Sequence, residues 1–535
     1  MATTTATATL STGRRVAQAA IVVMVLFVAS RVLGLVREAA ISHQFGTSPE
    51  AAAYQAAFRI PDFLFNLMAG GALASAFIPT FTGLVARDDR AGAWRLASSV
   101  ANIILVSLGS IAALAALLAP WLVGFVVPGD AFTPEMRALT ANLMRIMLVS
   151  TVIFSLSGLV MGILNALEHF VVPALAPLVY NASIIVGALV LAPRWGVYGL
   201  AFGVVLGALG HLLVQFPILQ RHGMRYTTML GVRDRELWPH VREVARLMAP
   251  RVVGVATVQI SFLVNTILAS YLYVEAIPAL YYAFITMLLP QGIFALSVAT
   301  AIFPTCAAQA ARGEHIAMRR TLSMSLRAVL LLTLPATVGL IVLREPLIAT
   351  LFQRGAFDSL STAAAAWALL FYSLGLVGHS LLEIVNRAFY ALHDTLTPVV
   401  VGVGAMLFSI ALSLILMPRF GSPTDIARGP HGALALANSV ATTLEMVLLL
   451  WLLRRRLNGL ESRELINATV RLGAAALIMG AVLVGLMRVP ALAALPVWLF
   501  TPLAIAAGGG VYVAAAWLLR AEELRLVPRL LKRKA

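Results

Sequence analysis

The sequence predicts an all-α polytopic membrane protein: about fourteen transmembrane helices, in two pseudo-symmetric six-helix lobes followed by two C-terminal helices. Three observations predict it. Of 535 residues, 60% are hydrophobic and only 12% charged, with a mean hydropathy of +0.92. A soluble domain is roughly 45–50% apolar and about 25% charged, so one water-soluble core cannot hide this excess. Apolar runs long enough to span a bilayer, which takes about 20 residues each, recur almost end to end. Finally, the chain resembles itself at a fixed offset.

Taken in order, residues 1–13 form an Ala/Thr-rich tail expected to be irregular. Arg14 and Arg15 then precede an apolar run that contains Arg31 and has no A-x-A cleavage site, so it reads as a retained first helix rather than a signal peptide. The fourteen spans are placed near 16–38, 52–84, 98–127, 138–165, 171–193, 197–218, 247–273, 279–309, 323–352, 360–390, 396–417, 433–453, 472–488 and 493–519. Several exceed 25 residues and must tilt, bend or project. Pro79, Pro290, Pro304 and Pro335 mark expected kinks, because proline removes a helix donor.

Topology follows from basic residues. With both termini on the cytoplasmic side, 25 Lys and Arg fall in cytoplasmic segments, seven on the opposite side and seven within spans. That is a strong positive-inside bias. The formal net charge of +16 is then explained by loops facing anionic lipid, not by nucleic acid.

The internal repeat has an offset of 225. Pro79-Thr80 matches Pro304-Thr305, Arg87 and Arg95 match Arg312 and Arg320, and Ala131-Phe132 matches Ala356-Phe357. Ala166-Leu167 matches Ala391-Leu392, and Pro173 matches Pro398. Near the start the register is expected to slip by five, pairing Arg31 with Arg251. The lobes are accordingly 1–225 and 226–455, with 456–535 holding the last two helices and a basic tail. Parallel repeats around a cleft are transporter architecture.

Arginine at a helix centre costs about 2.5–3.5 kcal/mol on insertion scales, so each one needs a reason. Arg31, Arg37 and Arg251 lie on helices one and seven, which begin the lobes and should line the cleft. With Arg59 they are the expected substrate-binding set, since a guanidinium fork suits phosphate, and the acidic Glu38 stands next to Arg37. Asp62 (one turn after Arg59), Asn265 and the i,i+4 pair Glu383–Arg387 are candidates for the cavity wall or a gate. Arg145 and Arg327 read as snorkelling or structural groups. Gln259, Ser261 and Asn265 form a polar stripe, and these, like Asn165 and Asn181, read as glue between helices.

Catalytic and cofactor classes find no support. There is no GxxxxGK[ST] nucleotide loop, the nine histidines show no HExxH or metal spacing, and Cys306 is the one cysteine. No cofactor and no enzymatic activity are expected.

Three stretches carry a family resemblance. They are Ser30-Arg-Val-Leu-Gly-Leu-Val-Arg-Glu38 with Phe58-Arg-Ile-Pro-Asp62, Gly162-Ile-Leu-Asn-Ala166 with Pro173 to Pro177, and Gln259 to Thr266 with Tyr281-Tyr-Ala283. Together they resemble the MurJ (MviN) family of lipid II flippases, within the multidrug/oligosaccharidyl-lipid/polysaccharide exporter superfamily. The resemblance implies an inner-membrane flippase working by alternating access. It implies a cationic cavity for a lipid-linked pyrophosphate, and a groove by the last two helices for the polyprenyl tail. It carries over Arg31, Arg37 and Glu38 directly. Membrane lipids are implied partners; a monomer is expected, with cell-wall synthesis proteins as candidate associates. The chain departs from the family pattern at Ala52, where an Asp is usual, at Phe65 and Asn66, where two basic residues are usual, and at Phe284, Ile285 and Leu288, where Asp, Arg and Glu are usual. Those losses leave room for another polyprenyl-pyrophosphate-linked glycan as cargo, for a cation-coupled drug exporter, or for a non-transporting membrane scaffold.

Overall fold

The computed structural model describes residues 2–68, 72–231, 234–422 and 424–525, with side chains of 2–21, 68, 72–76, 249–254, 493 and 525 left out. The described residues are mostly helical, with no strand among them. They fall into two compact units, Met1–Tyr271 and Leu272–Ala535.

The first unit comprises α1 (Ala2–Phe45), α2 (Pro49–Met68), α3 (Ala72–Ala86), α4 (Arg90–Leu117), α5 (Ala119–Val126), α6 (Pro134–Ala166), α7 (Val171–Val186), α8 (Ala192–Trp195), α9 (Val197–Leu213), α10 (Phe216–Arg221) and α11 (Trp238–Ser270). The second comprises α12 (Ala276–Pro290), α13 (Leu296–Ala311), α14 (His315–Val342), α15 (Arg344–Phe352), α16 (Ser359–Leu374), α17 (Leu376–Ala391), α18 (Leu396–Leu416), α19 (His431–Arg456), α20 (Ser462–Met487), α21 (Pro490–Ala493) and α22 (Val497–Leu518).

The offset of 225 is written into the backbone. α4 and α14 start at 90 and 315 and end at 117 and 342. α6 and the pair α16–α17 start at 134 and 359 and end at 166 and 391. The same pairs of positions take positive φ: Asp88 and Gly313, Glu168 and His393, Gly196 and Gly421. Thr133 and Asp358, again 225 apart, cap α6 and α16 by accepting from Met136 and Ser361 amides. One expected detail changes. α1 and α11 end at Phe45 and Ser270 and both run unbroken, so the register there has no slip. Arg31 therefore stands opposite Ala256 in the repeat, not Arg251.

Ten helical stretches are long and apolar enough to cross a membrane among the described residues, eleven if the bent pair α16–α17 is one span. Fourteen is not reached by this measure. The Ala/Thr-rich tail expected to be irregular is part of α1, consistent with alanine's high helix propensity. The expected span 52–84 is helical on both sides of residues 69–71, which lie outside the described ones, and 98–127 breaks at Leu118 before Pro120. Of the expected kinks, Pro290 introduces a π-helical turn at Gln291–Ala295, whereas Pro79, Pro304 and Pro335 sit inside helices. One break has no proline: α16 and α17 meet at 46°. Gly375 stands there because a Cβ would lie 2.6 Å from Ser439 Oγ of α19.

Each unit has its own core. In the first, Phe77, Phe81 and Trp94 stack at the junction of α3 and α4. α7 and α9 cross where Gly187 meets Gly203, close enough that a Cβ on either would come within 2.8 Å of the other's Cα. In the second, α20 and α22 pack on α14, and the Tyr512 hydroxyl donates to the Leu331 carbonyl at 2.8 Å. Large side chains such as Leu117 (77% exposed) and Trp517 (71%) remain uncovered, as a lipid-facing surface requires.

Candidate functional site

The first unit gathers four of the expected site residues, Arg37, Glu38, Arg59 and Asp62, into two polar clusters. In the first cluster, Arg37 of α1 donates through Nε to Glu38 Oε1 at 3.0 Å and through Nη2 to the same oxygen. Its Nη1 donates to Asn181 Oδ1 of α7 at 3.0 Å. The Asn181 amide in turn donates to the Ser30 carbonyl at 3.4 Å. Glu38 is buried and Arg37 half-buried. A charge-assisted bond across helices is worth more than a neutral one, so Asn181 does more than glue two helices: it aims the guanidinium.

The second cluster joins α2 to α11. Arg59 Nε donates to Thr266 Oγ1 at 2.7 Å, and its guanidinium lies 5.9 Å from the Phe262 ring. One turn along, Asp62 accepts from Asn66 Nδ2 at 2.8 Å and from Gln259 Nε2 at 3.4 Å. Gln259 and Thr266 are seven residues apart, two turns, so one face of α11 serves both partners. The polar stripe was legible in Gln259; Thr266 was not singled out, although the same i,i+7 spacing marks it. Tyr180 of α7 lies within electrostatic reach of Arg37, Glu38 and Asp62 and so borders both clusters.

Other expected residues are placed differently. Arg31 is exposed on α1, its guanidinium 5.2 Å from the Phe27 ring. Arg251 belongs to α11, but its side chain lies outside the described ones. Asn265 is half-buried on α11 beside Thr266. Glu383 and Arg387 pair within α17, Nη1 to Oε2 at 2.5 Å. Arg145 is structural: its Nε donates to the Ala116 carbonyl at 3.0 Å, an acceptor whose usual helical donor four residues on is Pro120. Arg327 of α14 reaches Glu464 of α20 and Glu523 beyond α22.

The departures from the family pattern are packed, not vacant. Phe65 meets Phe154 at 5.5 Å, and Phe154 meets Tyr180 at 4.6 Å. Phe284 packs on Tyr372 at 5.2 Å. Ala52 is fully buried. No group of three or more metal-ligating side chains occurs among the described residues.

Comparison with known proteins decides the kinship. A sequence model described as "Lipid II flippase MurJ" matches residues 41–500. The chain belongs to the MurJ family. A lipid II flippase MurJ from Burkholderia cenocepacia is 31% identical over 463 residues, covering 86% of this chain and 87% of its own. A probable lipid II flippase MurJ from Vibrio cholerae is 32% identical over 449 residues, 82% of each chain. A solved lipid II flippase MurJ in an inward closed conformation superposes with a TM-score of 0.77 at 26% identity, covering 93% of this chain and 98% of that one. A multidrug-resistance MATE family transporter of the MOP superfamily in an inward-facing conformation gives a TM-score of 0.66 at 16% identity over 83% and 99%, a likeness of fold alone. The MurJ family is one of membrane transporters, and with its many membrane-length helices this member is a multi-pass membrane protein.

Proposed function

We propose that this protein is a flippase that carries lipid II, the lipid-linked peptidoglycan precursor, across the bacterial inner membrane by alternating access. Membership of the MurJ family over residues 41–500 carries this reading. Both termini lie in the cytoplasm, in keeping with the distribution of Lys and Arg. Repeats 1–225 and 226–455 are the lobes that rock, and 456–535 supplies the tail-side helices. The substrate and membrane lipids are its partners, and it works as a transporter without enzymatic chemistry.

Arg31, Arg37, Glu38, Arg59 and Arg251 form the pyrophosphate-binding set. What supports the role of Arg37 is that its donors already grip a carboxylate, Glu38, and an amide oxygen, Asn181. A phosphate oxygen offers the same acceptor chemistry in the same fork geometry. Binding is then an exchange of one anion for another, which keeps the arginine solvated when the cavity holds no substrate. Arg59, held by the Thr266 hydroxyl, adds a second cation on α2, and Asp62, Asn265, Glu383 and Arg387 belong to the cavity wall or gate. An inside-negative potential favours outward movement of an anionic headgroup, by about 2.3 kcal/mol per charge per 100 mV.

The test is complementation of a flippase-depleted bacterium, joined to a vesicle assay of lipid II translocation. Arg37→Ala should abolish both at unchanged expression, with Arg37→Lys restoring little because a point charge does not match the fork. Full growth and full translocation by the Arg31→Ala/Arg37→Ala variant would overturn the assignment of the site. Failure of the unsubstituted protein to translocate lipid II, while it moves another polyprenyl-pyrophosphate glycan, would overturn the cargo.

A further inference from the structure

Away from both clusters, the first unit contains a cavity of about 460 Å³ at its arginine-rich end. Its walls are the first half of α4 and the last turns of α6 and α9, with α10 across one side; Ala97, Ala101, Leu159, Ile163, Leu212 and Leu219 are among the apolar lining residues. Leu105, also on the wall, is 47% exposed, and Val106 and Leu213 beside it on α4 and α9 are 55% and 53% exposed. The mouth therefore opens onto the lipid-facing surface.

Ser98, Asn102 and Tyr226 in the wall are already committed. An extended segment, residues 224–230, lies along α4 and is latched to it. Asn102 Nδ2 donates to the Thr227 and Met229 carbonyls at 2.8 and 3.0 Å, and Asn102 Oδ1 accepts from the Tyr226 hydroxyl at 2.5 Å. Ser98 Oγ accepts from the Thr227 amide at 3.2 Å, and Ser99 Oγ donates to the Leu230 carbonyl at 2.6 Å. Gly231 closes the latch at φ 69°, where a Cβ would lie 2.4 Å from Ser99 Oγ. A space of this size with spent polar groups holds water poorly and is within the size range of ligand cavities. The exposed Arg221 and Arg225 adjoin the lining residues Gln220, Met224 and Tyr226 in the chain, and Arg90 begins α4 nearby. Basic residues at such a rim are suited to lipid phosphate.

We infer that this cavity is a binding site for an anionic glycerophospholipid of the surrounding leaflet. One acyl chain fills the space under the 224–230 latch, and the phosphate rests against Arg221 and Arg225. The bilayer supplies the ligand directly through the mouth, and the bound chain completes the packing between α4 and the latch.

The experiment uses the full chain, purified in mild detergent, delipidated and titrated with phosphatidylglycerol or phosphatidylcholine while native mass spectrometry counts bound lipid. Ala101→Phe fills the cavity and should weaken both lipids about tenfold. Arg221→Ala/Arg225→Ala, on exposed positions that leave the fold intact, should erase about thirtyfold of the preference for phosphatidylglycerol and spare phosphatidylcholine. Unchanged affinity in a folded Ala101→Phe protein would overturn the inference, as would unchanged lipid preference in the arginine variant. Should Ala101→Phe fail to fold, the arginine variant decides alone. Displacement of bound lipid by a polyprenyl phosphate but not by phosphatidylglycerol would also overturn it.

Discussion

Removing Arg327 should loosen the last two membrane helices from α14. Arg327 Nη2 lies 3.2 Å from Glu464 Oε2 and Nη1 lies 3.8 Å from Glu523 Oε1. The three side chains are 16%, 55% and 5% exposed respectively. Glu464 is solvated, so its pairing contributes about 0–1 kcal/mol. Glu523 is buried, and taking away Arg327, the cation paired with it among the described residues, strands a charge, which typically costs about 3–5 kcal/mol. The 3.8 Å contact exceeds hydrogen-bond length, so the lower end, about 3 kcal/mol, is the better expectation for Arg327→Met. Glu464→Gln should cost at most about 1 kcal/mol. The double variant Arg327→Met/Glu523→Gln should regain much of the loss, because no buried charge is then left alone. Thermal unfolding in detergent, with limited proteolysis between α19 and α20, ranks the three. Equal destabilisation by Glu464→Gln and Arg327→Met, or no recovery in the double variant, would refute the reasoning.

Three further outcomes are expected. Asn181→Ala deletes one hydrogen bond to a charged group, worth about 1.5–3 kcal/mol. It should slow lipid II translocation in vesicles, and an unaltered rate would show that Asn181 does not position Arg37. Gly203→Leu drives a side chain into Gly187, just after α7, and should cost at least about 1–3 kcal/mol as an overpacked contact, read as a lowered unfolding midpoint. Asp394, in the turn before α18, is buried, which raises its pKa, but bonds from the Thr397 hydroxyl and amide and the charge of Arg456 outweigh that and leave it below the ordinary carboxylate value. A carboxylate depressed in the folded state stabilises above its unfolded pKa, about 3.9, and loses that contribution as pH falls through the folded value. Asp394→Asn should therefore lower the midpoint at pH 7, and the gap to the unsubstituted protein should close below about pH 4; a gap constant across that range would contradict the assignment.

Hydropathy alone determined that this chain crosses a membrane many times, because apolar surface on this scale has no other place to go. Sequence likewise carried the repeat. Helix starts, caps and left-handed turns depend on local residues, so Thr133 and Asp358, or Glu168 and His393, keep the same offset in sequence and in backbone. Local ion pairs were equally readable: Glu383–Arg387 follows from one turn of helix.

Tertiary structure decided what depends on helices meeting. Nothing local distinguishes Asn181 from Asn165; only the packing of α7 on α1 brings Asn181 to Arg37. Arg31 and Arg37 belong to one motif, yet six residues advance a helix by about 600°, placing them some 120° apart around α1. Arg37 consequently meets α7 while Arg31 lies exposed beside Phe27. Arg145 and Arg327, alike as isolated cations in apolar runs, part ways because one faces a carbonyl abandoned at Pro120 and the other faces the buried Glu523. A helix sequence specifies which residues share a face, but which neighbour that face receives is set by the packing of the bundle as a whole.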